Sequence, residues 1–147
     1  MKITICGSVA FINEMADLSQ QLEALGHEVK FPPLLVVDSN GHETHTSDYY
    51  QTKKSTPADD LEFWQNHTHR IRDHFSKVAW SDAILVLNCD KNDTANYIGP
   101  NTLMEMGVAF HLNKKIFLFN PVPDIACREE ILGMQPVILA ADLSMIL

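Results

Sequence analysis

The segment from Ala83 to Asn88 constrains the fold of this chain more than any other. Its sequence, Ala-Ile-Leu-Val-Leu-Asn, begins with five apolar residues in a row and shows no polar alternation. A strand with one face in water alternates polar and apolar residues, whereas a strand of a parallel sheet covered on both faces does not. The segment therefore predicts a central strand that is buried on both faces of a parallel sheet.

Strand and helix patterns alternate along the rest of the chain. Apolar residues recur at helical spacing from Met15 to Leu25, and Gly26 follows as a helix stop. A longer helix is predicted to begin at Thr56-Pro57 and to run to about Trp80. The other predicted strands are Lys2 to Cys6, His27 to Phe31, Lys115 to Phe119 and Pro136 to Ala140, with a short helix from Ile125 to Leu132. This order predicts one domain over 1–147, an open and mostly parallel α/β sheet of five strands.

The stretch from Asp38 to Thr56 is polar and predicts irregular structure. It follows the short apolar run Leu34 to Val37 and opens with the turn residues Asp38-Ser39-Asn40-Gly41. A structureless segment of about 20 residues is long for a compact domain, and such loops often act as lids or binding loops.

The overall composition excludes several functional classes. A net charge of -8 argues against a surface for nucleic acid polymers, which need clustered lysine and arginine. No apolar run reaches the length of a membrane span, and the N-terminal segment predicts a strand instead of a signal sequence. The three cysteines form no even framework, which is typical of free thiols in a reducing compartment. We therefore expect a cytoplasmic protein.

Glu105 carries the strongest functional signal in the chain. It is the only acid of an apolar segment that follows the turn Gly99-Pro100 and predicts a helix. Apolar neighbours disfavour a charged carboxylate and a helix N-terminus favours it, so such a group is suited to act as a nucleophile or base. Thr102 and Glu105 also have the spacing of a capping box, with Thr102 as the N-cap. Both interpretations stay open at this point.

Other residues offer weaker signals. Gly7-Ser8 ends the first strand, where it either approaches an anion with its backbone or forms a tight turn with Ser8 as a helix cap. Asp82 precedes the central strand and is either a site residue or a polar connector. The histidines at 67, 69 and 74 lack the His-x-x-x-His spacing of a helical metal site, so we expect no metal.

Several segments together resemble the nucleoside 2-deoxyribosyltransferase family, which includes the 2′-deoxynucleoside 5′-phosphate N-hydrolases. The matching segments are Cys6-Gly7-Ser8, Ser81-Asp82 with the strand Ala83 to Leu87, and Glu105-Met106-Gly107-Val108-Ala109 ahead of Lys115 to Leu118. Their order covers most of the chain, and Glu-x-Gly-x-Ala is the most specific of them.

The resemblance implies a flavodoxin-like, Rossmann-like sheet with helices on both faces and an N-glycosidic bond as the target. Glu105 matches the family's nucleophilic glutamate, which attacks C1′ of a deoxyribose, releases the base and leaves a glycosyl ester. The family holds the sugar or its phosphate with regions that match the Gly7-Ser8 turn and the backbone from Gly99 to Thr102. The binding candidates are Gly7, Ser8, Asp82, Gly99, Asn101 and Thr102.

The chain departs from the family at three points, one of which is a longer loop before Glu105, around Cys89, Asp90 and Asp93. The family has a second catalytic aspartate seven residues before the position of Ser81, where this chain has His74, with Asp73 adjacent. We expect Asp73 or His74 to orient or protonate the base. The Arg-Gly-Gly that often follows Gly-Ser in the phosphate hydrolases is Val9-Ala10-Phe11 here, so the need for a 5′-phosphate stays open.

We therefore expect an enzyme that acts on the N-glycosidic bond of a nucleoside or nucleotide, by hydrolysis or base exchange, without a cofactor. The alternative is a non-catalytic nucleotide-binding or sensor module on the same fold. A carboxylate of Asp73 or Asp82 close to Glu105 would favour the enzyme, and its absence would favour the binding module.

The chain is also predicted to form a homodimer or a larger oligomer. Two apolar stripes exceed what one face of a small sheet buries, and surplus apolar surface often marks an interface. The stripes consist of Leu103, Met106 and Phe110 in one predicted helix and of Trp64, Ile71 and Phe75 in another.

Overall fold

A computed structural model describes residues 1–38 and 40–146 of the chain. In chain order the strands are β1 (Lys2–Gly7), β2 (Glu28–Lys30), β3 (Leu35–Val37), β4 (Glu43–His45), β5 (Ala83–Leu87), β6 (Lys115–Leu118) and β7 (Val137–Ile138). The helices are α1 (Ile12–Ala24), α2 (Thr46–Lys53), α3 (Leu61–Trp80), α4 (Pro100–His111) and α5 (Arg128–Gly133), with short 3-10 helices at Val9–Phe11 and Leu143–Met145.

The centre of the molecule is a parallel sheet of five strands in the order β2-β1-β5-β6-β7. Counting only the strands of this sheet, the order is 2-1-3-4-5, which is that of flavodoxin-like folds. Strand β5 lies in the middle, and each of its residues is buried. The predicted fold class and the predicted central strand are both confirmed.

Both faces of the sheet are covered, because successive side chains of a strand point to opposite faces. Ile3 and Ile5 of β1 pack with α1 in one apolar cluster. Cys6 of β1 instead belongs to the cluster on the other face, together with Val78 of α3 and Met106 of α4. The alternation of β1 therefore directs the Cys6 thiol toward α3 and α4.

The long helix starts later than predicted. Helix α3 begins at Leu61, and the side chain of Asp60 caps it by accepting a hydrogen bond from the Phe63 backbone N–H at 3.0 Å. The predicted start at Thr56-Pro57 is wrong, because the aspartate four residues further on satisfies the free N–H groups of the first turn. The helix ends at Trp80, as predicted.

The middle segment is more regular than predicted. Strands β3 and β4 pair antiparallel, and α2 follows directly. The Asp38 carboxylate accepts hydrogen bonds from the backbone N–H groups of Asn40 and His42, at 2.8 and 2.9 Å, and so closes the turn between the strands. The prediction of an irregular loop is therefore wrong for most of 38–56; Ser39 lies outside the described residues.

Within the described residues, none of the helices is both long and apolar enough to cross a membrane.

The oligomeric state stays a prediction, but the structure changes which residues of α4 provide the apolar surface for it. Met106 is fully buried in the core, whereas Phe110 and Met104 of α4 are about half exposed. The apolar surface that α4 offers is thus carried by Phe110 and Met104 and not by Met106.

Asn88 joins the carboxyl ends of β5 and β6. Its buried side-chain amide donates to the carbonyl groups of Asn120 and Pro121 at 3.1 and 3.0 Å. Its carbonyl oxygen accepts from the Asn120 backbone N–H at 2.8 Å. This clamp fixes the loops that leave the two strands at the edge of the sheet where ligands bind in such folds.

We predict that Asn88→Ala lowers the free energy of unfolding by about 2–3 kcal/mol, because it removes three hydrogen bonds made by a fully buried side chain. Urea denaturation monitored by circular dichroism measures the loss. Asn66→Ala, at an exposed position of α3, is the matched control and should change stability by less than about 0.5 kcal/mol. Equal stability of the two variants would contradict the role assigned to Asn88.

Candidate active site

A cavity of about 580 Å³ opens at the carboxyl end of the central sheet. Its walls come from the end of β1, from α2 and α3, from the loop after β5 and from the start of α4. Open α/β sheets bind ligands at this edge, and the volume is in the range of small-molecule sites. The cavity brings together residues that are up to about a hundred positions apart in the chain.

Glu105 lines the cavity, and the structure rules out its role in a capping box. Helix α4 begins with Gly99 as N-cap and Pro100 in its first turn, and the cap makes no side-chain hydrogen bond. Thr102 therefore lies inside the first turn and Glu105 in the second. The capping-box interpretation is wrong because proline, with its fixed φ and no N–H, starts the helix at Pro100, three residues before the start that a Thr102 cap implies.

The Glu105 carboxylate is largely removed from solvent, and the described part of the chain places no lysine or arginine within 4 Å of it. Its side chain is 13% exposed, and Oε2 lies 3.7 Å from Nε2 of His74. The Cys6 thiol lies 3.5 Å from the same nitrogen. Among the described residues, neither Glu105 Oε2 nor His74 Nδ1 has a hydrogen-bond partner, although both atoms are buried.

Burial governs the ionisation of both groups. It raises the pKa of Glu105 to about 8, and the nearby Cys6 thiol offsets only part of the effect. It lowers the pKa of His74 to about 4; nearby Lys77 lowers it further, and Asp73 opposes the change. At pH 7 the pair is therefore mainly a carboxylic acid beside a neutral imidazole, and not an ion pair.

The two aspartates considered as partners of Glu105 lie elsewhere. Asp73 lines the cavity, but its side chain is 62% exposed and forms an ion pair with Lys77 at 2.8 Å. Asp82 precedes β5 at the opposite edge of the sheet, where it accepts a hydrogen bond from the Lys2 backbone N–H at 2.8 Å. The sequence expectation for Asp82 is corrected: it is a connector at the amino end of β5, and we do not retain it as a binding candidate.

The remaining binding candidates lie around the cavity. They are Gly7, Ser8, Gly99, Asn101 and Thr102. Gly7 is needed for close packing, because a Cβ at this position would lie 2.9 Å from the Leu87 carbonyl oxygen. Ser8 caps the following 3-10 helix and also accepts a hydrogen bond from the Lys91 ammonium group at 2.8 Å. Ser8 is therefore both a helix cap and a hydrogen-bond partner of Lys91.

Basic side chains outnumber acidic ones in the cavity wall, which the sequence analysis did not foresee. Five of the chain's 11 lysines and arginines line it, against two acids, Asp73 and Glu105. The basic residues are Lys53, Lys54, Arg70, Lys77 and Lys91. Burial and neighbouring lysines lower the pKa of Lys53 and of Lys91. This concentration of positive charge, on a chain with a net charge of -8, is typical of a site for an anionic ligand.

No protein-family model matches the chain, and no curated protein does. Among solved structures the chain is similar to a 2-deoxyribosyltransferase from the psychrotolerant bacterium Bacillus psychrosaccharolyticus, with a TM-score of 0.53 and 19% identity over 85% of this chain and 76% of that one. A CMP N-glycosidase from Clostridium botulinum matches with a TM-score of 0.48 and 16% identity, over 94% of this chain and 85% of that chain. A conserved protein from Enterococcus faecalis V583 has a TM-score of 0.47 and 16% identity, over 98% and 76%.

The first of these likenesses establishes the fold. This chain has the flavodoxin-like architecture of a 2-deoxyribosyltransferase, in agreement with the family resemblance of its sequence. The site defines it further as an α/β protein with a small-molecule cavity that combines a buried carboxylate with a basic wall.

Proposed function

We propose that this protein cleaves the N-glycosidic bond of a nucleotide or nucleoside, by hydrolysis or by transfer of the sugar, with Glu105 as the nucleophile. The observation that carries the proposal is the buried carboxylate of Glu105 in the wall of a cavity of about 580 Å³. The fold shared with a 2-deoxyribosyltransferase supports the choice of bond.

In the proposed reaction a Glu105 oxygen attacks C1′ of the sugar. The C1′–N bond breaks, its electron pair leaves with the base, and the base takes up a proton. The resulting glycosyl ester is then attacked at C1′ by water or by a second base, which frees Glu105. The cavity wall keeps bulk water away from the carboxylate, so that the anion is poorly solvated and reactive when it forms.

The protonation state of His74 and the position of Asp73 suggest different roles for these two neighbours of Glu105. A neutral His74 cannot supply a proton at pH 7 as an imidazolium acid, since its pKa is about 4. We assign it the orientation of the carboxylate through Nε2, at 3.7 Å. Asp73 is the other carboxyl group of the described cavity wall, and it remains our candidate for interaction with the departing base.

One observation favours a non-catalytic nucleotide-binding module instead. The groups beside Glu105 are a thiol and an imidazole, and neither Asp73 nor Asp82 influences its pKa. Retaining glycosidases use two carboxyl groups about 5 Å apart. The enzyme and the binding module both bind the ligand, but only the enzyme releases free base. Comparison of the wild-type protein with Glu105→Gln distinguishes them.

We predict that Glu105→Gln abolishes release of free base while it retains folding and ligand binding, because glutamine keeps the shape and loses the nucleophilic charge. Chromatography of reactions with a panel of deoxynucleosides and their 5′-monophosphates measures the product. Glu43→Gln, on an exposed strand position, is the control and should keep wild-type turnover.

The same assay has a predicted pH dependence. Since ionised Glu105 is the reactive form and its pKa is about 8, kcat/KM should rise with pH, roughly tenfold per unit, and level off above about pH 8.

Turnover by Glu105→Gln at the wild-type rate would show that Glu105 is not the nucleophile. Binding without base release from any member of the panel by the wild-type protein would favour the binding module.

We further propose that the substrate carries a phosphate. The basic wall supports this, and Lys91 is held at the end of β1 by its hydrogen bond to Ser8. Phosphate oxygens are strong acceptors for ammonium and guanidinium groups. The basic residues come from α2, α3 and the loop after β5, and not from the position of the missing Arg-Gly-Gly.

We predict that Lys91→Gln raises KM for a nucleoside 5′-monophosphate by about 10–100-fold, the effect of one lost charge-assisted hydrogen bond. The KM for the corresponding nucleoside should change little. Lys115→Gln, at the amino end of β6, is the matched control. An equal effect of Lys91→Gln on nucleoside and nucleotide would show that Lys91 does not bind the phosphate.

A further inference from the structure

Three side chains from three different elements converge beside the cavity: His74 and Glu105 line it, and Cys6 is fully buried behind them. Cys6 comes from the end of β1, His74 from α3 and Glu105 from α4. His74 Nε2 lies 3.5 Å from Cys6 Sγ and 3.7 Å from Glu105 Oε2. The three potential ligand atoms all lie within 4.8 Å of one another.

These separations are close to those of a tetrahedral metal site. Zinc binds sulfur at about 2.3 Å and nitrogen or oxygen at about 2.0–2.2 Å, so neighbouring ligand atoms lie about 3.3–3.6 Å apart. The Cys6–His74 distance falls in this range and the His74–Glu105 distance slightly above it. Cys6 Sγ and the Glu105 carboxylate oxygen lie within 4.8 Å of each other, so Glu105 has to move toward Cys6 by up to about 1 Å to complete the geometry.

Two further features point to a bound cation. Oε2 of Glu105 is buried without a hydrogen-bond partner among the described residues, and His74 is 7% exposed. Buried polar atoms are normally satisfied by protein, water or an ion. Glu105 and His74 line the cavity, so a fourth coordination position on that side is accessible to water or a small ligand.

We propose that Cys6, His74 and Glu105 form a three-ligand site for a thiophilic divalent cation, with Zn²⁺ as the best match. Thiolate and imidazole ligands favour zinc over Mg²⁺ and Ca²⁺, which require oxygen ligands in larger number. Binding transfers the thiol proton of Cys6 and the carboxyl proton of Glu105 to solvent, and forms the metal–sulfur and metal–oxygen bonds beside the bond to the neutral His74 imidazole.

This metal site is not part of the proposed function, and metal binding there inhibits the proposed reaction. A carboxylate that coordinates a cation is not free to attack C1′, so metal binding and covalent catalysis at Glu105 exclude each other. Zn²⁺ is therefore an inhibitor of the proposed reaction, competitive with substrates that reach Glu105.

Cobalt substitution tests the site without reference to activity. We expect the full chain to bind one Co²⁺ with a sulfur-to-cobalt charge-transfer band in the near ultraviolet and with intense visible bands of four-coordinate cobalt. Zn²⁺ should displace both. Cys6→Ser should remove the charge-transfer band, whereas Cys89→Ser and Cys127→Ser, which alter the other two free cysteines, should keep it.

Glu105→Gln provides a second variant that does not depend on the thiol. It should keep the charge-transfer band and weaken Co²⁺ binding by more than about tenfold, since it replaces a charged ligand with a neutral amide. Circular dichroism of each variant establishes that it is folded. Absence of the charge-transfer band in the wild-type protein, or its persistence in Cys6→Ser, would overturn the proposal.

The two proposals fail separately. Cobalt bands that depend on Cys6, in a protein that releases no base, would support the metal site and contradict the proposed reaction. Base release by a protein that shows no cobalt band, and that Zn²⁺ does not inhibit, would contradict the metal site alone.

Discussion

Burial of the central strands on both faces determines where the functional groups of this protein lie. Side chains of β1 and β5 alternate between two apolar clusters, one covered by α1 and the other by α3 and α4. Cys6 belongs to the second cluster by this alternation, and the strand ends one residue later at Gly7. The polar groups of α3 and α4 that face the end of β1, His74 and Glu105, therefore meet the Cys6 thiol in a site poor in water.

The free energy that burial adds to the ionisation of Glu105 is small compared with the amount by which enzymes lower reaction barriers. With a pKa of about 8, ionising the carboxylate at pH 7 costs about 1.4 kcal/mol, so roughly one molecule in ten carries the charge. Enzymes lower reaction barriers by about 8 kcal/mol or more. For the proposed reaction, a tenfold loss of the active form is small on that scale. In the same proposal the basic wall supplies binding energy for an anionic substrate whose sugar lies against Glu105.

The sequence predicted the five strands of the central sheet because their signal is local, and it predicted the site only where the signal was local too. Glu105 was recognised from its apolar neighbours along the helix, but the capping box with Thr102 was wrong because Pro100 starts the helix earlier. The contact of Glu105 with His74 and Cys6 is a tertiary one, and no spacing along the chain indicates it. The basic wall was missed for the same reason, since α2, α3 and a loop each contribute a part of it.

The account rests on a carboxylate at Glu105 whose pKa is raised by burial, and that pKa can be measured directly. Carbon-13 NMR of the side-chain carboxyl groups in glutamate-labelled protein, titrated between pH 4 and 10, gives each midpoint, and the signal missing from Glu105→Gln assigns the residue. The account predicts a midpoint near 8 for Glu105. A midpoint near the ordinary value of 4.5 would show a solvated carboxylate and would contradict the account.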